Sequence, residues 1–446
     1  MTASETLAAA AERRAAQVTD NDVRRATIAG AIGSFVEWYD YGIYGLLTTY
    51  LAINIMGGAQ AGALFLTNVG FLVSFIARPF GSVICGYLGD KIGRRTLLAA
   101  LLVLIAASTT CIGLIPNYTV LPVAGPVLLL ALRVLQGFSA GGEVAGAMSF
   151  VGEYARDKHR NASMAWIAVG SFLALMFGSA FSATLITFLG DATMTAWAWR
   201  IPFLFAAPLG YIGFYIRRRM DETPHFEALK EEKAVKRNPL AAAFTSKRHL
   251  LAILLTIFLP AVNGPGYYLL FAYMPTYLKT SLGEGRNFSM QQALLVNVCG
   301  LIAVVICIPL MARLSDRIGR KPVLLISAVA MALASYPMFS LITTGQMGLA
   351  IIGAIVMAIS FSGHAAVVHT VLLEMFPTSV RYSAYSIGFS LSTIIFGGSA
   401  PLIMTEIIKA TKDSMVPAYA SIITALITLV TIFFLAETRG KPLALD

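Results

Sequence analysis

The sequence predicts an all-α membrane protein of twelve transmembrane helices arranged as two pseudo-symmetric six-helix bundles. Three observations lead to this fold class. The chain is 57% hydrophobic and 13% charged, with a mean hydropathy of +0.74, which is more apolar than a soluble core requires. Apolar runs of about 20 residues recur along it, each long enough to cross a hydrocarbon layer about 30 Å thick. A charged decapeptide occurs twice, which indicates an internal duplication.

The apolar runs are predicted to be helices because lipid offers no hydrogen bonds to the backbone, so each spanning segment must satisfy its own polar groups. One long polar stretch, rich in Lys and Glu, separates six spans from six. The predicted spans are 26–53, 64–86, 96–116, 124–150, 162–188, 197–217, 250–278, 291–312, 322–342, 347–373, 382–406 and 416–436.

These spans divide the chain into five regions. The predicted regions are a cytoplasmic N-terminal tail (1–25), a first six-helix bundle (26–217), a cytoplasmic linker (218–248), a second six-helix bundle (249–437) and a cytoplasmic C-terminal tail (438–446).

The distribution of positive charge predicts the orientation. Of the 33 Lys and Arg residues, 26 lie in the tails and in alternate loops, four lie in the other loops and three lie within spans. Cytoplasmic loops of membrane proteins collect Lys and Arg, so both termini are predicted to be cytoplasmic. The count groups Arg217, the last residue of the sixth span, with the cytoplasmic loop that follows. The same rule explains the net charge of +10, and no nucleic-acid partner is expected.

The repeated decapeptide reads GYLGDKIGRR at Gly86–Arg95 and ARLSDRIGRK at Ala312–Lys321, 226 residues later. Its glycines suit a tight turn between two helices, and its Asp and Arg can pair at the membrane boundary. Anchoring of a loop alone would require only basic residues. We therefore interpret both copies as gates whose charge pairs hold one conformation shut. Related halves also place the transport site between them, near the bilayer midplane.

Two further echoes lie at the same boundary. Glu153 and Arg160 recur 221 residues later as Glu374 and Arg381, and the Glu-Thr pair after the sixth span recurs after the twelfth. The predicted gating residues are Gly86, Asp90, Gly93, Arg94, Glu153, Arg160, Asp316, Gly319, Arg320, Glu374 and Arg381.

Glu37 and Asp40 are the predicted proton-coupling residues. They lie within VEWYDYGIY of the first span, about 16–21 Å along the helix and near the bilayer middle. Their i, i+3 spacing puts them on one helix face. A carboxylate in lipid is costly to ionise, which suits it to take up and release a proton. The alternative is a purely structural ion pair with Arg78, which is expected at similar depth.

Arg78, Arg133 and Gln136 are predicted to bind substrate. Arg78 lies in ARPFG of the second span, and Arg133 and Gln136 lie in RVLQGFSAGGE of the fourth. A guanidinium can bind a carboxylate through two parallel hydrogen bonds. The alternative for the second motif is close helix packing, which its glycines also allow.

The seventh span contains a predicted break. The segment Pro260–Gly266 holds two prolines and two glycines around Asn263, and such a sequence does not continue a regular helix. A broken helix near the midplane exposes its backbone to a ligand, so Asn263 is predicted to bind substrate. Tyr267 and Tyr268 follow, and their rings could hold a quaternary ammonium group by cation–π attraction. The alternative is that these tyrosines only pack the span.

Several function classes lack support. The chain has no G-x-x-x-x-G-K-[ST] loop for ATP, no metal-ligand cluster and no nucleophile elbow, so neither an ATP-driven pump nor an enzyme is predicted. No cofactor is expected besides a coupling ion, which is a proton, with Na⁺ as the alternative. The expected partners are a small-molecule substrate, protons and membrane lipid, and a monomer is expected.

The motifs resemble those of a known family. GYLGDKIGRR, RVLQGFSAGGE and the repeat after the eighth span are similar to the major facilitator superfamily, and VEWYDYGIY, ARPFG, WAWRIPF and EMFPTSVRYSA narrow the resemblance to its metabolite–proton symporters. Within that family, STTCIGLIPNY, APLGYIGFYIRRRMDETPHF, YYLLFAYMPTYL and SMVPAYA are most similar to the bacterial proline/glycine-betaine proton symporters. The resemblance covers nearly the whole chain. It implies twelve helices, proton symport and a multi-pass location in a bacterial inner membrane.

The predicted function is proton-coupled import of a small zwitterion or organic acid by alternating access, with proline and glycine betaine as first choice. One alternative is uptake of a dicarboxylate or tricarboxylate such as 2-oxoglutarate or citrate. Another is proton–drug antiport, but such antiporters usually carry a Gly-Pro motif in the fifth span. That span reads VGSFLALMFGSAF here, without proline.

Overall fold

Twelve helical spans run through the part of the chain that the computed structural model describes, and that part contains no β-strand. The predicted all-α fold is therefore confirmed. The described residues are 18–58, 62–92, 94–218, 247–283 and 285–443. The first seventeen residues of the predicted N-terminal tail and most of the predicted linker, 219–246, lie outside them.

The first half contains α1 to α6, and α6 is divided into four short segments. Their bounds are α1 (Asp20–Leu46, continued as Thr48–Asn54), α2 (Ala63–Ile92), α3 (Arg94–Leu114), α4 (Ala124–Tyr154), α5 (Arg160–Leu189) and α6 (Asp191–Thr193, Met194–Ala198, Arg200–Leu204 and Ala206–Arg218).

The second half contains α7 to α12, and both α7 and α11 include a stretch of π-helix. Their bounds are α7 (Lys247–Phe258, Leu259–Val262, Gly264–Tyr273 and Met274–Thr280), α8 (Met290–Ile318), α9 (Arg320–Ile342), α10 (Met347–Glu374), α11 (Thr378–Ser392, Thr393–Gly398 and Ala400–Thr411) and α12 (Val416–Phe433).

Ten of the described helical spans are long and apolar enough to cross a membrane on length and composition alone. The other two are α1 and α6. Helix α1 carries acidic and basic residues in its first turns and the two carboxylates Glu37 and Asp40 farther along, which lower its hydropathy. Helix α6 has no uninterrupted segment longer than the 13 residues of Ala206–Arg218.

Local sequence accounts for several helix ends. Helix α1 begins at Asp20 rather than at the predicted 26, because Thr19 caps it. The Thr19 hydroxyl accepts from the Asp22 backbone N–H at 3.3 Å, and the Asp22 carboxylate accepts from the Thr19 N–H at 3.0 Å. Such a reciprocal pair satisfies two backbone donors that a helix start leaves free. Ser289 and Gln292 form the same arrangement before α8.

Helix α7 is interrupted where its prolines and glycines predict. A 3₁₀ turn at Leu259–Val262 is followed by Asn263 and then by the π-helical stretch Gly264–Tyr273. Pro265 has no backbone N–H to give to the helix ladder, so the regular pattern cannot pass through it. The result places Tyr267 and Tyr268 on the first turns of the π-helix.

Helix packing repeats between the halves. In the first half α1 packs on α5, α2 on α4 and α3 on α6, and the same pairings recur six helices later as α7 on α11, α8 on α10 and α9 on α12. The halves meet chiefly where α5 packs on α8 and α2 packs on α11. These two contacts are equivalent by the internal repeat, because α2 corresponds to α8 and α5 corresponds to α11. The interface between the halves is therefore pseudo-symmetric.

The α2–α4 contact is close because glycines remove side chains from it. A Cβ atom added at Gly137 of α4 would overlap the backbone carbonyl of Ser74 on α2. The neighbouring atom is backbone, so the helices themselves would have to move apart.

We expect Gly137→Ala to lower the free energy of unfolding by about 1–3 kcal/mol, the usual cost of overpacking a close contact. Thermal unfolding of the purified protein in detergent measures this change. Gly348→Ala is the matched control, because Gly348 lies in the first turn of α10 with no atom within 4 Å of an added Cβ. An equal melting temperature for both variants would contradict the packing described here.

Candidate functional site

Both carboxylates predicted in α1 are buried inside the first half rather than facing lipid. Glu37 is 2% exposed and Asp40 is 1% exposed. Asp40 points towards α3 and α4, where its Oδ1 accepts hydrogen bonds from the Thr109 hydroxyl and the Gln136 amide. Its Oδ2 lies 3.7 Å from Nη1 of Arg133. Asp40 is thus held from two other helices at once.

The guanidinium of Arg133 is hydrogen-bonded to residues of the first half. Its Nη1 donates to Gln136 Oε1 at 2.9 Å and its Nη2 donates to the Ser74 hydroxyl at 2.9 Å. Its Cζ lies 4.1 Å from the centre of the Tyr44 ring. The structure therefore brings Arg133 and Gln136 together around Asp40, and their direct contact with substrate stays a prediction.

Arg78 and Glu37 form a looser pair. Arg78 Nη2 lies 3.9 Å from Glu37 Oε1, which is too long for a hydrogen bond, and neither of these two buried atoms has a hydrogen-bond partner. Arg78 Nε donates to the Tyr41 hydroxyl at 3.3 Å, and the guanidinium lies 4.4 Å from the centre of the Phe75 ring. Nη2 of Arg78 is thus available to another anion.

Six aromatic rings from both halves meet next to this pair, and we refer to them as the aromatic cluster. Tyr267 lies 4.4 Å from Phe172 and 4.7 Å from Trp38, measured between ring centres. Tyr268 lies 5.1 Å from Phe75, the ring that also covers Arg78. The aromatic cluster consists of Trp38, Phe75, Phe172, Tyr267, Tyr268 and Phe361. It joins α1, α2 and α5 of the first half to α7 and α10 of the second.

Asn263 is buried at the break of α7, and its side-chain Oδ1 has no hydrogen-bond partner. A buried amide oxygen without a partner is unfavourable, so it is suited to accept a hydrogen bond from a ligand or from water. Its predicted role in substrate binding remains a prediction.

The predicted gating residues meet at one end of the bundle, which we call the motif end because both copies of the repeated loop lie there. Arg160 of α5 donates to Glu374 of α10 at 2.8 Å, and Asp316 of α8 accepts from the Ala162 backbone N–H at 2.9 Å. Arg320 joins the network through Asp316 at 2.6 Å and Glu374 at 3.4 Å. The Arg160–Glu374 and Ala162–Asp316 contacts cross from one half to the other, and Arg320 links Asp316 to Glu374 within the second half.

The counterpart pair from the internal repeat also crosses between the halves. Arg381 of the second half lies 3.8 Å from Glu153 of the first. In the first copy of the decapeptide, Gly93 lies outside the described residues, and the structure describes only the backbone of Gly86, Asp90 and Arg94. Their gating role therefore stays a prediction.

The segment after α12 is a part of this network that sequence reasoning missed, although the repeated Glu-Thr pair was a signal. The Glu437 carboxylate accepts from the backbone N–H groups of Arg320 and Lys321, both at 3.0 Å. The Thr438 hydroxyl donates to Glu374 at 2.5 Å, and Arg160 donates to the Lys441 carbonyl at 3.2 Å.

Gly319 makes room for Glu437. Its φ is +113°, which a residue with a side chain rarely adopts, and an added Cβ would lie 2.6 Å from a Glu437 carboxylate oxygen. Burial alone would raise the pKa of Glu437, but donation from the N–H groups of Arg320, Lys321, Thr438 and Arg439 brings the pKa below its ordinary value of 4.5.

The opposite end, which we call the far end, is held shut by neutral contacts. Asn297 of α8 donates to the Ser179 hydroxyl of α5 at 2.9 Å, and Asn68 of α2 donates to the Thr405 hydroxyl of α11 at 3.4 Å. With the motif end paired and the aromatic cluster packed between, the halves are in contact at both ends. The structure is therefore an occluded state.

The structure corrects the charge count, which grouped Arg217 with a loop although the predicted sixth span ends at this residue. The structure buries it at 7% exposure, where its Nη2 donates to Glu143 Oε1 of α4 at 2.7 Å. The signal was Glu143 itself, because a carboxylate inside an apolar span requires a partner. Thr109, which donates to Asp40, had no comparable signal among the many hydroxyl residues of the spans.

Family models match most of the chain. The model described as Major Facilitator Superfamily matches residues 30–309, and the model described as Sugar (and other) transporter matches residues 227–445.

Several curated proteins are similar over nearly the full length. The chain is 36% identical over 434 residues to the glycine betaine/proline/ectoine/pipecolic acid transporter OusA of Dickeya dadantii. This match covers 96% of this chain and 86% of that protein. It is 34% identical to the proline/betaine transporter of Escherichia coli K12 and 35% identical to the ectoine/proline transporter ProP of Corynebacterium glutamicum, with the same coverage.

Solved structures share the fold. The proton:xylose symporter XylE bound to 6-bromo-6-deoxy-D-glucose matches with a TM-score of 0.77 at 18% identity, covering 95% of this chain and 98% of that one. The inward open conformation of the xylose transporter XylE from E. coli matches with a TM-score of 0.70 at 19% identity, covering 94% and 98%.

We expect Glu437→Gln to lower the melting temperature at neutral pH, because an amide nitrogen cannot accept from the backbone donors that surround the carboxylate. A carboxylate with a lowered pKa stabilises the folded state above its unfolded pKa, and this contribution is lost as pH falls through the lower folded value. The difference in melting temperature between the variant and the unmodified chain should therefore shrink below about pH 4.5.

Thermal unfolding in detergent between neutral and acidic pH measures this effect. Glu406→Gln, the same substitution on α11 towards the far end, is the control. A difference for Glu437→Gln that stays constant across the whole pH range would contradict the proposed carboxylate contacts.

Proposed function

We propose that this chain, which belongs to the Major Facilitator Superfamily and is a multi-pass membrane transporter rather than an enzyme, is a proton-coupled symporter of small zwitterions. The observation that carries the proposal is the loose, buried pair of Glu37 and Arg78 next to the aromatic cluster. It combines an ionisable acid, a cation with one unpartnered nitrogen and a set of π-faces at the interface between the halves.

Charge balance supplies the coupling. In the low-dielectric interior, neutralising Glu37 leaves Arg78 as an unpaired charge, and an unpaired buried charge is strongly unfavourable. A substrate carboxylate that binds Arg78 removes this cost. Protonation of Glu37 and binding of substrate therefore favour each other, which is what a symporter requires.

Asp40 is the second carboxylate of the proton-coupling site. It is held by Thr109 and Gln136 and faces Arg133, so its charge is balanced within the first half. We propose that Arg133 and Gln136 adjust the charge of Asp40 and, through Tyr41, the position of Arg78. The Tyr41 ring is close to both guanidinium groups, with its centre 4.5 Å from Cζ of Arg78 and 5.2 Å from Cζ of Arg133.

The site fits a zwitterion such as glycine betaine or proline. The relatives are named for glycine betaine, proline, ectoine and pipecolic acid, each of which joins a carboxylate to a cationic nitrogen. Arg78 would bind the carboxylate, and the aromatic cluster would hold the cation by cation–π attraction. A dicarboxylate needs a second free cation, and the Arg133 donors are already taken by Gln136 and Ser74.

Alternating access follows from the two closed ends. Ionic contacts at the motif end and neutral contacts at the far end would open in turn, while the aromatic rings separate to admit substrate. One net charge moving through 100 mV yields about 2.3 kcal/mol, enough for roughly 50-fold accumulation of a zwitterion. We propose a monomer in a bacterial inner membrane, in contact with lipid, with both termini in the cytoplasm, the proton as coupling ion and no other cofactor.

We expect Glu37→Gln to reduce substrate-driven proton entry by about tenfold or more, because the amide cannot take up and release the proton. Asp40→Asn should reduce it as well. The measurement uses proteoliposomes with a pH-sensitive dye inside and glycine betaine or proline added outside. Glu406→Gln is the control and should keep normal flux. Undiminished flux in both test variants would remove these carboxylates from the mechanism.

The aromatic cluster makes a separate prediction about substrate. Tyr268→Leu should weaken glycine betaine binding by about 2- to 30-fold, since a cation–π contact contributes about 0.5–2 kcal/mol. Tyr268→Phe keeps the ring and should bind nearly as well as the unmodified chain. Calorimetric titration in detergent measures both. Equal affinity of the Leu and Phe variants would rule out a cation–π role for this ring.

A further inference from the structure

A third buried carboxylate lies on α4, outside the site described above. Glu143 is 0% exposed, and its Oε1 accepts from Arg217 Nη2 at 2.7 Å. Its other oxygen, Oε2, is buried without a hydrogen-bond partner. The pair is therefore only half satisfied, with one carboxylate oxygen free to receive a proton.

The pair lies between the centre and the motif end. Glu143 is ten residues beyond Arg133 on α4, about 15 Å farther along the helix in the direction of the motif end. Arg217 lies in the last turn of α6 at that end, and its Nη1 approaches the Leu98 carbonyl of α3 at 3.5 Å. The pair thus stands on the path from the α1 carboxylates to that surface.

Arg217 also contacts α1 directly. A Cβ added at Gly33 would overlap its Nη2, the same nitrogen that donates to Glu143. Gly33 lies one helical turn before Glu37. The Arg217 guanidinium is therefore paired with Glu143 and packed against α1 one turn before Glu37.

The charged groups that act on Glu37 come from four helices. They are Glu143 of α4, Arg78 of α2, Arg217 of α6 and Asp40 of α1. When substrate occupies Arg78, only the Arg217 guanidinium is left for Glu37 and Glu143, and two buried carboxylates with one cation are stable together when one of them carries a proton. The proton can then move between Glu37 and Glu143.

We propose that Glu143 receives the proton that Glu37 releases, with Arg217 exchanging partners between them; this rests on the proposed function of Glu37 as proton carrier. The O–H bond of the Glu37 acid breaks, and the proton ends on Oε2 of Glu143, directly or through a water molecule. Arg217 stays protonated throughout. It leaves the neutral Glu143 and pairs with the Glu37 carboxylate, so the total charge is unchanged.

The proton transfer to Glu143 also prepares the central site for release of substrate. Glu143 then loses its proton to water that enters from the open motif end, and Arg217 returns to the ionised Glu143. The ionised Glu37 can now pair with Arg78 again, and Arg78 releases its substrate towards that end. Glu143 and Arg217 are thus positioning and relay residues that act through Glu37 and do not contact the substrate.

Two transport assays separate this role from a structural one. Exchange of labelled glycine betaine across proteoliposomes requires no net proton release, whereas substrate-driven proton entry requires it. Glu143→Gln should keep exchange within about twofold and reduce net proton entry by about tenfold or more. Exchange by this variant should also lose its dependence on the internal pH. Glu143→Asp, which keeps a carboxylate, should restore part of the proton entry.

Glu143→Gln leaves Arg217 as an unpaired buried charge, which can prevent folding. The double variant Glu143→Gln/Arg217→Gln carries no unpaired charge and should show the same loss of proton entry with exchange retained. If the single variant is not recovered as folded protein, the double variant decides the question. Glu406→Gln is the matched control on α11.

The outcomes distinguish the relay from the proposed function on which it rests. Normal proton entry in the Glu143 variants together with impaired entry in Glu37→Gln overturns the relay alone. Equal loss of exchange and of proton entry in a folded variant also overturns it, because that result indicates a structural role. Normal proton entry in both Glu37→Gln and Asp40→Asn overturns the proposed function itself.

Discussion

Arg78 and Arg133 bring two guanidinium groups into the interior of the first half, where neither residue is more than 2% exposed. Buried cations must be matched by anions, because an uncompensated charge in a low-dielectric interior is strongly unfavourable. Asp40 matches Arg133 and Glu37 matches Arg78. Neutralising either carboxylate therefore leaves its arginine without a counter-ion. The substrate carboxylate is expected to bind at that unpaired arginine.

The two pairs differ in how firmly they are held, and the difference assigns their roles. Asp40 is bonded from α3 and α4, while Glu37 Oε1 and Arg78 Nη2 have no hydrogen-bond partner. The Asp40–Arg133 pair fixes the architecture of the first half, because both side chains are hydrogen-bonded to groups on neighbouring helices. The Glu37–Arg78 pair is held less firmly and can exchange partners at low cost. Only this second pair is suited to alternate between a proton, a substrate and a neighbouring guanidinium.

Charge in the second half is used differently. Its buried arginines in the described residues, Arg320 and Arg381, both lie at the motif end. Arg381 pairs with Glu153 of the first half, whereas Arg320 pairs with Glu374 of its own half. At the centre the second half contributes Tyr267, Tyr268 and Phe361 instead. Chemistry that requires charge is therefore concentrated in the first half. The second half supplies aromatic surface at the centre and ionic contacts at one end.

Much of this arrangement could be predicted from the sequence, because apolar length, repeated motifs and isolated charges are local signals. The helical fold, the family and the transporter class are confirmed. The partners of each charge were harder, because they depend on how each helix is rotated about its axis. Arg217 looked like a loop residue since it ends a span, and only the gap beside Gly33 on another helix shows why it turns inward.

The break in α7 allows the segment that carries Tyr267 and Tyr268 to move relative to α1. Pro265 interrupts the backbone ladder, and the π-helical stretch that follows carries Tyr267 and Tyr268 against Trp38 of α1. A helix without a continuous ladder can bend or rewind there at less cost than a regular one. Because the rings of the occluded state touch each other, space for a substrate cation appears only when this stretch moves away from α1. Charge balance in the first half then determines when substrate is retained, and the broken helix of the second half determines when it can enter.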